Sequence, residues 1–327
     1  MTRVAAVDCG TNTIRLLVAD LTREETGRPR LEPLRRRNEI VRLGQGVDRT
    51  GLLDPAALER TLAVVEDYAA DCAELGVEPG RGARRFVATS ATRDARNRED
   101  FAAGVRSLLG VDPEVVSGQE EAHLSFAGSL LGARGTDDGG APRLVVDLGG
   151  GSTELVLGVD APAAAISLNT GSVRITERYL ADGVTAAAEA AARDEVRGLL
   201  DRAAQAVDLA ATGRLVGLAG TITTVTAHAL GLADFDAEAI DGAELAVGAA
   251  LASCDAIVHS TAAERESWAY LRPGRRDVIA AGALVWSEVI SRVVAETTAA
   301  GRPLATAVTS LHDILDGIAL SLAVPVP

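Results

Sequence analysis

The chain has 327 residues, 47% of them hydrophobic, which is enough to build one or two cores. All 32 of its basic residues are arginine, which excludes lysine-dependent chemistry such as the Walker A phosphate loop. The net charge of −14 disfavours nonspecific binding to a nucleic-acid polymer or a membrane. The sequence contains no apolar run of about 18 residues and no secretory signal pattern. Three widely spaced cysteines predict free thiols and a cytoplasmic protein.

The first 116 residues alternate between predicted strands and helices, which is typical of an α/β layer. Asp54, Pro55 and Gly76 mark the clearest helix, as its N-cap, its first position and the residue after its end. Its buried stripe is predicted to comprise Leu58, Leu62, Val65 and Ala69. The strands are predicted at 4–8, 14–20, 34–43, 85–89 and 113–116, and a second helix at 98–109.

A capping box opens the next predicted helix, with Ser117 as N-cap and Glu120 at the third position. That helix extends to about residue 131, and a loop is predicted at 132–142. Further elements are predicted as strands at 144–147, 154–160 and 214–218, helices at 185–207 and after 221, and a mostly helical region at 241–302.

Two segments about 140 residues apart share one pattern: VAAVDCGTNTIRLLVAD and RLVVDLGGGSTELVLGVD. Each contains a buried strand that ends in aspartate, a glycine-hydroxyl turn and a second strand. The interval from Asp8 to Asp20 is 12 positions and that from Asp147 to Asp160 is 13, which an extra glycine in the second turn explains. Two copies predict duplicated domains that face each other across a cleft.

The chemistry of these turns suits phosphate, because glycines let successive N–H groups point at an anion and hydroxyls add donors. A third element, GLAGT at 217–221, precedes a helix whose N-terminus favours anions, although a purely structural turn is also possible there. The candidate phosphate-binding residues are Gly10, Thr11, Asn12, Thr13, Gly149, Gly150, Gly151, Ser152, Thr153, Gly220 and Thr221.

Aspartates at the strand ends cannot bind phosphate directly, so their useful partner is a divalent cation that bridges to it. Asp8 and Asp147 are the candidates from this argument. Cys9, in the first turn, is the alternative covalent nucleophile, but no activating base is evident beside it.

Seven segments give the chain a family resemblance: DCGTNTIRLLVAD, ATSATRDARN, SGQEEA, VVDLGGGSTEL, SLNTGSVRITE, GLAGTITT and RRDVIAAGA. The sequence resembles the exopolyphosphatase/guanosine pentaphosphate phosphohydrolase (Ppx/GppA) family of the actin-like ATPase superfamily. The resemblance implies an α/β fold of duplicated actin-like, ribonuclease-H-like domains with a cleft between them. We expect domain I at 1–119 plus about 307–327 and domain II at 120–306.

The resemblance also implies roles for individual residues. Glu121 matches the general base, Asp147 and Glu154 match the pair that positions Mg²⁺ (or Mn²⁺), and Arg93 matches an arginine on phosphate. Glu121 is preferred over Glu120, because Glu120 already serves the capping box. Without the resemblance, Glu121 suits the helix dipole equally well, and Arg93 suits a surface ion pair with a nearby aspartate.

The function implied is an exopolyphosphatase in which water attacks the terminal phosphorus of polyphosphate. The alternatives are a guanosine pentaphosphate (pppGpp) 5′-phosphohydrolase and an ATP-binding actin-like module or sugar kinase. Long members of the family carry a C-terminal helical domain that this sequence lacks, so short substrates are expected. The family also implies a homodimer.

Overall fold

The computed structural model describes residues 2–24, 29–132 and 140–323. Most of the loop predicted at 132–142 therefore lies outside the described residues. The chain packs into two compact units, each on its own sheet. The first unit comprises Met1–Gly128 and Ile314–Pro327, and the second comprises Ser129–Asp313.

The first unit is built on a mixed sheet of five strands in the order β3-β2-β1-β4-β5. β1 pairs antiparallel with β2, and β2 pairs antiparallel with β3. β4 lies parallel to both β1 and β5. The strands are β1 (Thr2–Cys9), β2 (Thr13–Arg23), β3 (Pro29–Ile40), β4 (Arg84–Ala88) and β5 (Glu114–Val115).

Helices cover both faces of this sheet, so β1 is buried on its two sides. Val7 packs in one core with the two long helices, whereas its neighbour Ala6 packs in a second core with the C-terminal helix Ile314–Ser321. This alternation follows from the two-residue period of a strand. The other helices of the unit are α1 (Val47–Thr50), α2 (Pro55–Glu74), α3 (Ser90–Asp94), α4 (Arg98–Leu109) and α5 (Gly118–Ser129).

The Asp54 cap of α2 is confirmed, because its carboxylate accepts hydrogen bonds from two N–H groups of the first turn. The predicted buried stripe is only partly right. Val65 is buried, but the line of buried residues also takes in Thr61 and Tyr68, while the predicted leucines lie partly buried beside it. Polar side chains fit here because Thr61 donates to the Ala57 carbonyl at 2.7 Å and Tyr68 to that of Ile14 at 3.0 Å.

The second unit repeats the topology of the first. Its strands run in the order β8-β7-β6-β9-β11-β10, with antiparallel pairing through β6, β7 and β8 and parallel pairing through β6, β9 and β11. The predicted duplication is therefore confirmed. The strands are β6 (Arg143–Leu148), β7 (Thr153–Gly158), β8 (Pro162–Leu168), β9 (Arg214–Leu218), β10 (Glu244–Ala246) and β11 (Thr306–Thr309).

The helices of the second unit surround α12, whose residues from Ile279 to Ile290 are all buried. The region predicted as mostly helical also contains β10, which adds an antiparallel edge to β11. None of the helices in the described ranges is long and apolar enough to cross a membrane. The helices are α6 (Ser172–Ile175), α7 (Ala186–Ala206), α8 (Ala219–Ala229), α9 (Ala237–Ile240), α10 (Val247–Val258), α11 (Ala262–Ser267) and α12 (Ile279–Ala299), and the C-terminal helix of the first unit is α13.

Three consecutive arginines on β3 have structural partners. Arg35 and Arg37 bond to the Asp71 carboxylate of α2 at 2.6 and 3.0 Å. Arg36 bonds at 2.5 Å to Asp316, which is almost fully buried in α13. These three arginines therefore link α2 and α13 to β3 at the edge of the first sheet.

Candidate functional site

The first glycine turn joins β1 to β2 as a tight hairpin. The Gly10 N–H donates to the Thr13 carbonyl at 2.9 Å, which leaves Thr11 and Asn12 as the two loop residues. The strand pairing and this bond place all four predicted residues of the turn together.

The segment that follows β3 lies behind this turn and bonds to its carbonyls. The Gly44 N–H donates to the Thr11 carbonyl at 2.8 Å, and the N–H groups of Val41 and Arg42 donate to the Asn12 carbonyl at 3.0 and 2.9 Å. In a trans peptide the C=O and the following N–H point in opposite directions. The N–H groups that follow these carbonyls therefore face the other side of the turn.

Only glycine fits at position 44, because a Cβ there would overlap the side chains of Thr11 and Ala91. The Thr11 hydroxyl is also fixed, at 2.9 Å from the buried Ser90 hydroxyl at the start of α3. Arg42 has a φ of 52°, which is strained for a residue with a side chain. This segment was not among the residues predicted from the sequence, although the glycines of LGQG at 43–46 were a signal of a close backbone approach.

Arg93 and Glu121, which the resemblance assigns separately to the catalytic site, lie next to each other. One guanidinium nitrogen of Arg93 donates to the Glu121 carboxylate at 3.2 Å and to the Val116 carbonyl at 2.8 Å. Glu121 is only 7% exposed, so the guanidinium compensates much of the cost of burying a carboxylate. Because Ser90 lies on the same short helix as Arg93, α3 links the first turn to Glu121.

The neighbouring Glu120 has a different environment. Its N–H donates to the Ser117 hydroxyl at 3.1 Å, which supports Ser117 as the helix cap. Its carboxylate accepts a hydrogen bond at 2.8 Å from Arg85 and is about half exposed. The two adjacent glutamates thus have different contacts: Glu120 links the helix to Arg85 of β4, whereas Glu121 is buried beside Arg93.

At the base of the first turn, the Asp8 carboxylate is paired with Arg15 directly across the hairpin, at 2.6 and 2.9 Å. The role of Asp8 as a metal ligand stays a prediction. Burial raises the pKa of the neighbouring Cys9 thiol well above its usual value, and the Asp8 charge raises it further. A thiol held in its protonated form is a poor nucleophile, which disfavours covalent catalysis by Cys9.

At the base of the second turn, Asp147 and Glu154 face each other across β6 and β7. Both are buried, and the Ser167 hydroxyl donates to Glu154 at 2.7 Å. The Thr153 hydroxyl donates to the Thr170 carbonyl at 2.8 Å, so its contact with phosphate stays a prediction. In the described parts of the chain, no group of three or more His, Cys, Asp or Glu side chains is arranged to hold a metal ion.

The second turn has the same length as the first. The Gly149 N–H donates to the Ser152 carbonyl at 3.0 Å, so this loop also has two residues. Asp147 pairs with Glu154 seven positions later, the same separation as in the first hairpin. The extra glycine expected from the sequence is therefore wrong: the added position lies beyond the turn, where Asp160 follows the end of β7.

Behind the second turn lies the segment 171–174, which follows β8 as 41–44 follows β3. A Cβ at Gly171 would stand 2.6 Å from two carbonyl oxygens of the turn, so this position also requires glycine. The segment bonds to three consecutive carbonyls: Ser172 N–H to Gly149 at 3.1 Å, Val173 and Arg174 N–H to Gly150 at 2.9 and 3.1 Å, and Arg174 Nε to Gly151 at 2.8 Å.

The third turn leads from β9 into α8. Ala219 has a φ of 71°, and a side chain at Gly220 would overlap the guanidinium of Arg275. Thr221 packs against Gly282 of α12 in the same way. The predicted pair Gly220 and Thr221 thus begins a helix, with an arginine lying directly over it.

Comparison with known proteins connects these features to one family. The model of the Ppx/GppA phosphatase family matches residues 21–299. The chain is 45% identical over 329 residues to exopolyphosphatase 2 of Mycobacterium tuberculosis, with 99% of each protein covered. It is also 30% identical over 294 residues to a bifunctional 3-dehydroquinate synthase/phosphatase of Fusobacterium nucleatum, covering 88% of this chain and 43% of that one.

Solved structures agree with this match along the whole chain. A crystal structure of an exopolyphosphatase-like protein is 42% identical, with a TM-score of 0.90 and coverage of 98% of this chain and 97% of that one. The Ppx/GppA family member from Aquifex aeolicus is 25% identical, with a TM-score of 0.75 and the same coverage.

Proposed function

Because the chain belongs to the Ppx/GppA phosphatase family, we propose that it is an exopolyphosphatase, which releases orthophosphate from the end of inorganic polyphosphate. The observation that carries this proposal is the buried Glu121 carboxylate held by Arg93. It occurs in a chain that matches a named exopolyphosphatase over nearly its full length.

Glu121 is proposed as the general base. It takes a proton from a water molecule as the water oxygen attacks the terminal phosphorus in line with the bridging oxygen. The P–O bond to the bridging oxygen breaks, and the shortened polyphosphate leaves. Arg93 places a positive charge beside this carboxylate, where it can stabilise the charge that builds on the phosphoryl oxygens.

The glycine turns are proposed to hold the phosphate chain. The carbonyls of both hairpins are bonded from behind, so the N–H groups that follow them face the opposite side as donors. The third turn contributes the N-terminus of α8 at Gly220 and Thr221, and Arg275 adds a guanidinium there.

Asp147 and Glu154 are proposed as the ligands of a divalent cation, Mg²⁺ or Mn²⁺. Two buried carboxylates on neighbouring strands repel each other unless a cation lies between or beside them. Mg²⁺ commonly binds through one or two carboxylates and completes its shell with water and substrate phosphates, which fits this pair. When bound, such an ion neutralises charge on the phosphate oxygens.

A phosphate-release assay tests the proposal with four substrates: short polyphosphate, long polyphosphate, pppGpp and ATP. Wild type is compared with Glu121→Gln and with Glu120→Gln, a matched control that changes the neighbouring carboxylate. We expect release from polyphosphate, a loss of about 10²–10⁴-fold in Glu121→Gln, and near-normal activity in Glu120→Gln.

Release from pppGpp with none from polyphosphate would replace the exopolyphosphatase proposal with the pppGpp phosphohydrolase. Wild-type activity in Glu121→Gln would remove the general-base assignment. ATP-dependent phosphorylation of a sugar without hydrolysis would overturn both hydrolase proposals. The homodimer and the cytoplasmic location stay predictions, which gel filtration and cell fractionation test.

A further inference from the structure

The second glycine turn has an unusual backbone arrangement, in which three successive carbonyls are bonded from one side. The segment 171–174 donates to Gly149, Gly150 and Gly151, as described above. Since all peptides in the described residues are trans, the N–H groups of the next three residues point to the opposite side. Those N–H groups have no hydrogen-bond acceptor among the described residues. Three parallel donors of this kind form a concave site for an anion.

The bond to Gly151 differs from the other two. The carbonyls of Gly149 and Gly150 accept from backbone N–H groups, which no side-chain substitution removes. The Gly151 carbonyl accepts from the Arg174 side chain, through Nε at 2.8 Å. The orientation of the peptide between Gly151 and Ser152 therefore depends on one side chain.

Because Gly151 is a glycine, the bond from Arg174 is important for the orientation of the Gly151–Ser152 peptide. A peptide flanked by glycine rotates with little steric resistance, because glycine adopts positive and negative φ about equally well. Without the Arg174 bond, the Gly151–Ser152 peptide is free to turn its carbonyl toward the anion and its N–H away. A carbonyl in that place repels phosphate oxygens.

We propose that Arg174 is a positioning residue: its Nε holds the Gly151 carbonyl, and so aims the Ser152 N–H at a phosphate group of the substrate. This inference rests on the proposed function, in which the turn holds the phosphate chain. For this bond the essential property of Arg174 is a donor at the position of Nε, because the acceptor is a neutral carbonyl.

The first turn shows why no arginine is needed there. Its corresponding carbonyl, that of Asn12, accepts two backbone N–H groups from Val41 and Arg42. Side-chain support is therefore expected to matter only in the second unit.

Three substitutions separate position from charge. Arg174→Gln places an amide nitrogen at the same distance along the side chain as Nε and removes the charge. Arg174→Lys keeps the charge but has a methylene at that point, and Arg174→Met has neither. Arg178→Met is the matched control, since Arg178 lies one turn further on and bonds to Glu195 at 2.5 Å.

Two measurements are made on each folded variant, as checked by thermal unfolding: kcat and KM for phosphate release, and the Kd of tripolyphosphate by calorimetry. We expect kcat/KM to fall about tenfold and the Kd to rise in Arg174→Met and Arg174→Lys. Arg174→Gln and Arg178→Met should stay within about threefold of wild type. A loss of tenfold corresponds to one hydrogen bond of ordinary strength.

The opposite order, with Arg174→Lys active and Arg174→Gln impaired, would overturn the inference in favour of a direct charge contact with phosphate. Unchanged kinetics and binding in Arg174→Met would overturn it entirely. Failure of the proposed function gives a different result: wild type then releases no phosphate. The Kd of tripolyphosphate can still be compared between wild type and the Arg174 variants in that case.

Discussion

The two hairpin turns have the same length and the same closing hydrogen bond, but different side chains at their base. In the first, Asp8 faces Arg15 across the strands and bonds to it at 2.6 Å. In the second, the corresponding residues are Asp147 and Glu154, two carboxylates. The loops themselves also differ, with Thr and Asn in the first and two glycines in the second.

This difference fits the proposed roles of the two turns. The backbone of the turn, which both units keep, suits an anion. The foot of the first turn carries the ion pair of Asp8 and Arg15, which adds no net negative charge near that anion. The second base adds two negative charges, which favour a cation. We propose that the two copies of the turn thus serve two kinds of ligand.

The largest expected effect comes from removing one of the two carboxylate charges at the foot of the second turn. Glu154→Gln keeps a side-chain oxygen for the Ser167 hydroxyl but removes the negative charge of one proposed metal ligand. Since loss of even an outer-shell partner costs about 10–100-fold, we expect phosphate release to fall by at least about 100-fold. Titration with Mg²⁺ should show a weaker apparent affinity. Arg15→Gln is the matching substitution in the first hairpin. If it weakens the apparent Mg²⁺ affinity as much as Glu154→Gln does, the proposed division of roles is contradicted.

The second prediction concerns the two glycines that lie behind the turns. Gly171→Ala forces a methyl group against two backbone carbonyls, whereas Gly44→Ala meets the side chains of Thr11 and Ala91. We expect each to lower the free energy of unfolding by about 1–3 kcal/mol, with the larger loss in Gly171→Ala, because backbone yields less than side chains.

Gly198→Ala is the control for these glycines, since it lies in α7 with open space around it. It should raise the free energy of unfolding by about 0.5–1 kcal/mol. Denaturant unfolding measures all three. A loss in Gly198→Ala as large as that in Gly171→Ala would refute the packing argument.

The third prediction tests the hydroxyl pair that only the first turn has. Thr11→Val leaves the buried Ser90 hydroxyl without its partner at 2.9 Å, so we expect a loss of about 1–3 kcal/mol in unfolding free energy. Thr11→Ser retains the hydroxyl and should lose less. Adding Ser90→Ala to Thr11→Val should recover part of the loss, and a further full loss would show that the two groups act independently.

The smallest expected effect is a pH-dependent difference in stability between the arginine–carboxylate networks of the two units. In the second unit Arg193 bonds to Glu288 at 2.7 Å and to Glu189 at 2.8 Å, and His259 bonds to Glu189 at 3.1 Å. Hydrogen bonding to the Asp255 carbonyl, and then Glu189, raises the pKa of His259 above 6.5. A raised histidine pKa stabilises the fold below about pH 6.5, and this contribution disappears as the pH rises through the folded pKa.

His259→Gln should therefore lower the melting temperature at pH 6 and leave it nearly unchanged at pH 8.5. Because the side chain is half exposed, solvent screening limits the effect to a few tenths of a kcal/mol. The network between β3 and α2 is formed by Arg35, Arg37, Asp71 and Glu74, and none of these is a histidine. Glu74→Gln in that network should show no such step between pH 6 and 8.5.

Local sequence patterns were sufficient for the parts of the fold that depend on local chemistry. The two hairpins, the cap at Asp54 and the cap at Ser117 each follow from a few adjacent residues, and the structure has them as predicted. The resemblance named Arg93 and Glu121 separately, but their ion pair was not predicted, because 28 positions separate the two residues and neither alone indicates the other.

Features formed between distant segments were not predictable in the same way. The glycines at 44 and 171 mark a close backbone approach, but neither 41–44 nor 171–174 indicates which earlier turn it bonds to, and only tertiary structure brings them together. The extra glycine was inferred by matching the wrong aspartates: Asp160 lies outside its strand, whereas Asp20 lies within one. The carboxylate partners of the β3 arginines lie on other elements, so the local run of charge did not indicate them.

The C-terminal helix α13 has a consequence for how the chain is made. Its residues Ile314, Leu315 and Ile318 complete the core on one face of the first sheet, and Gly317 lies so close to Leu124 that no side chain fits there. A ribosome synthesises that sheet well before this helix, because the whole second unit lies between them in the chain. The nascent first unit therefore holds an uncovered apolar face until the second unit has emerged. We expect a chaperone that binds exposed apolar strands to associate with ribosome-bound chains of this protein, and to leave once α13 is released.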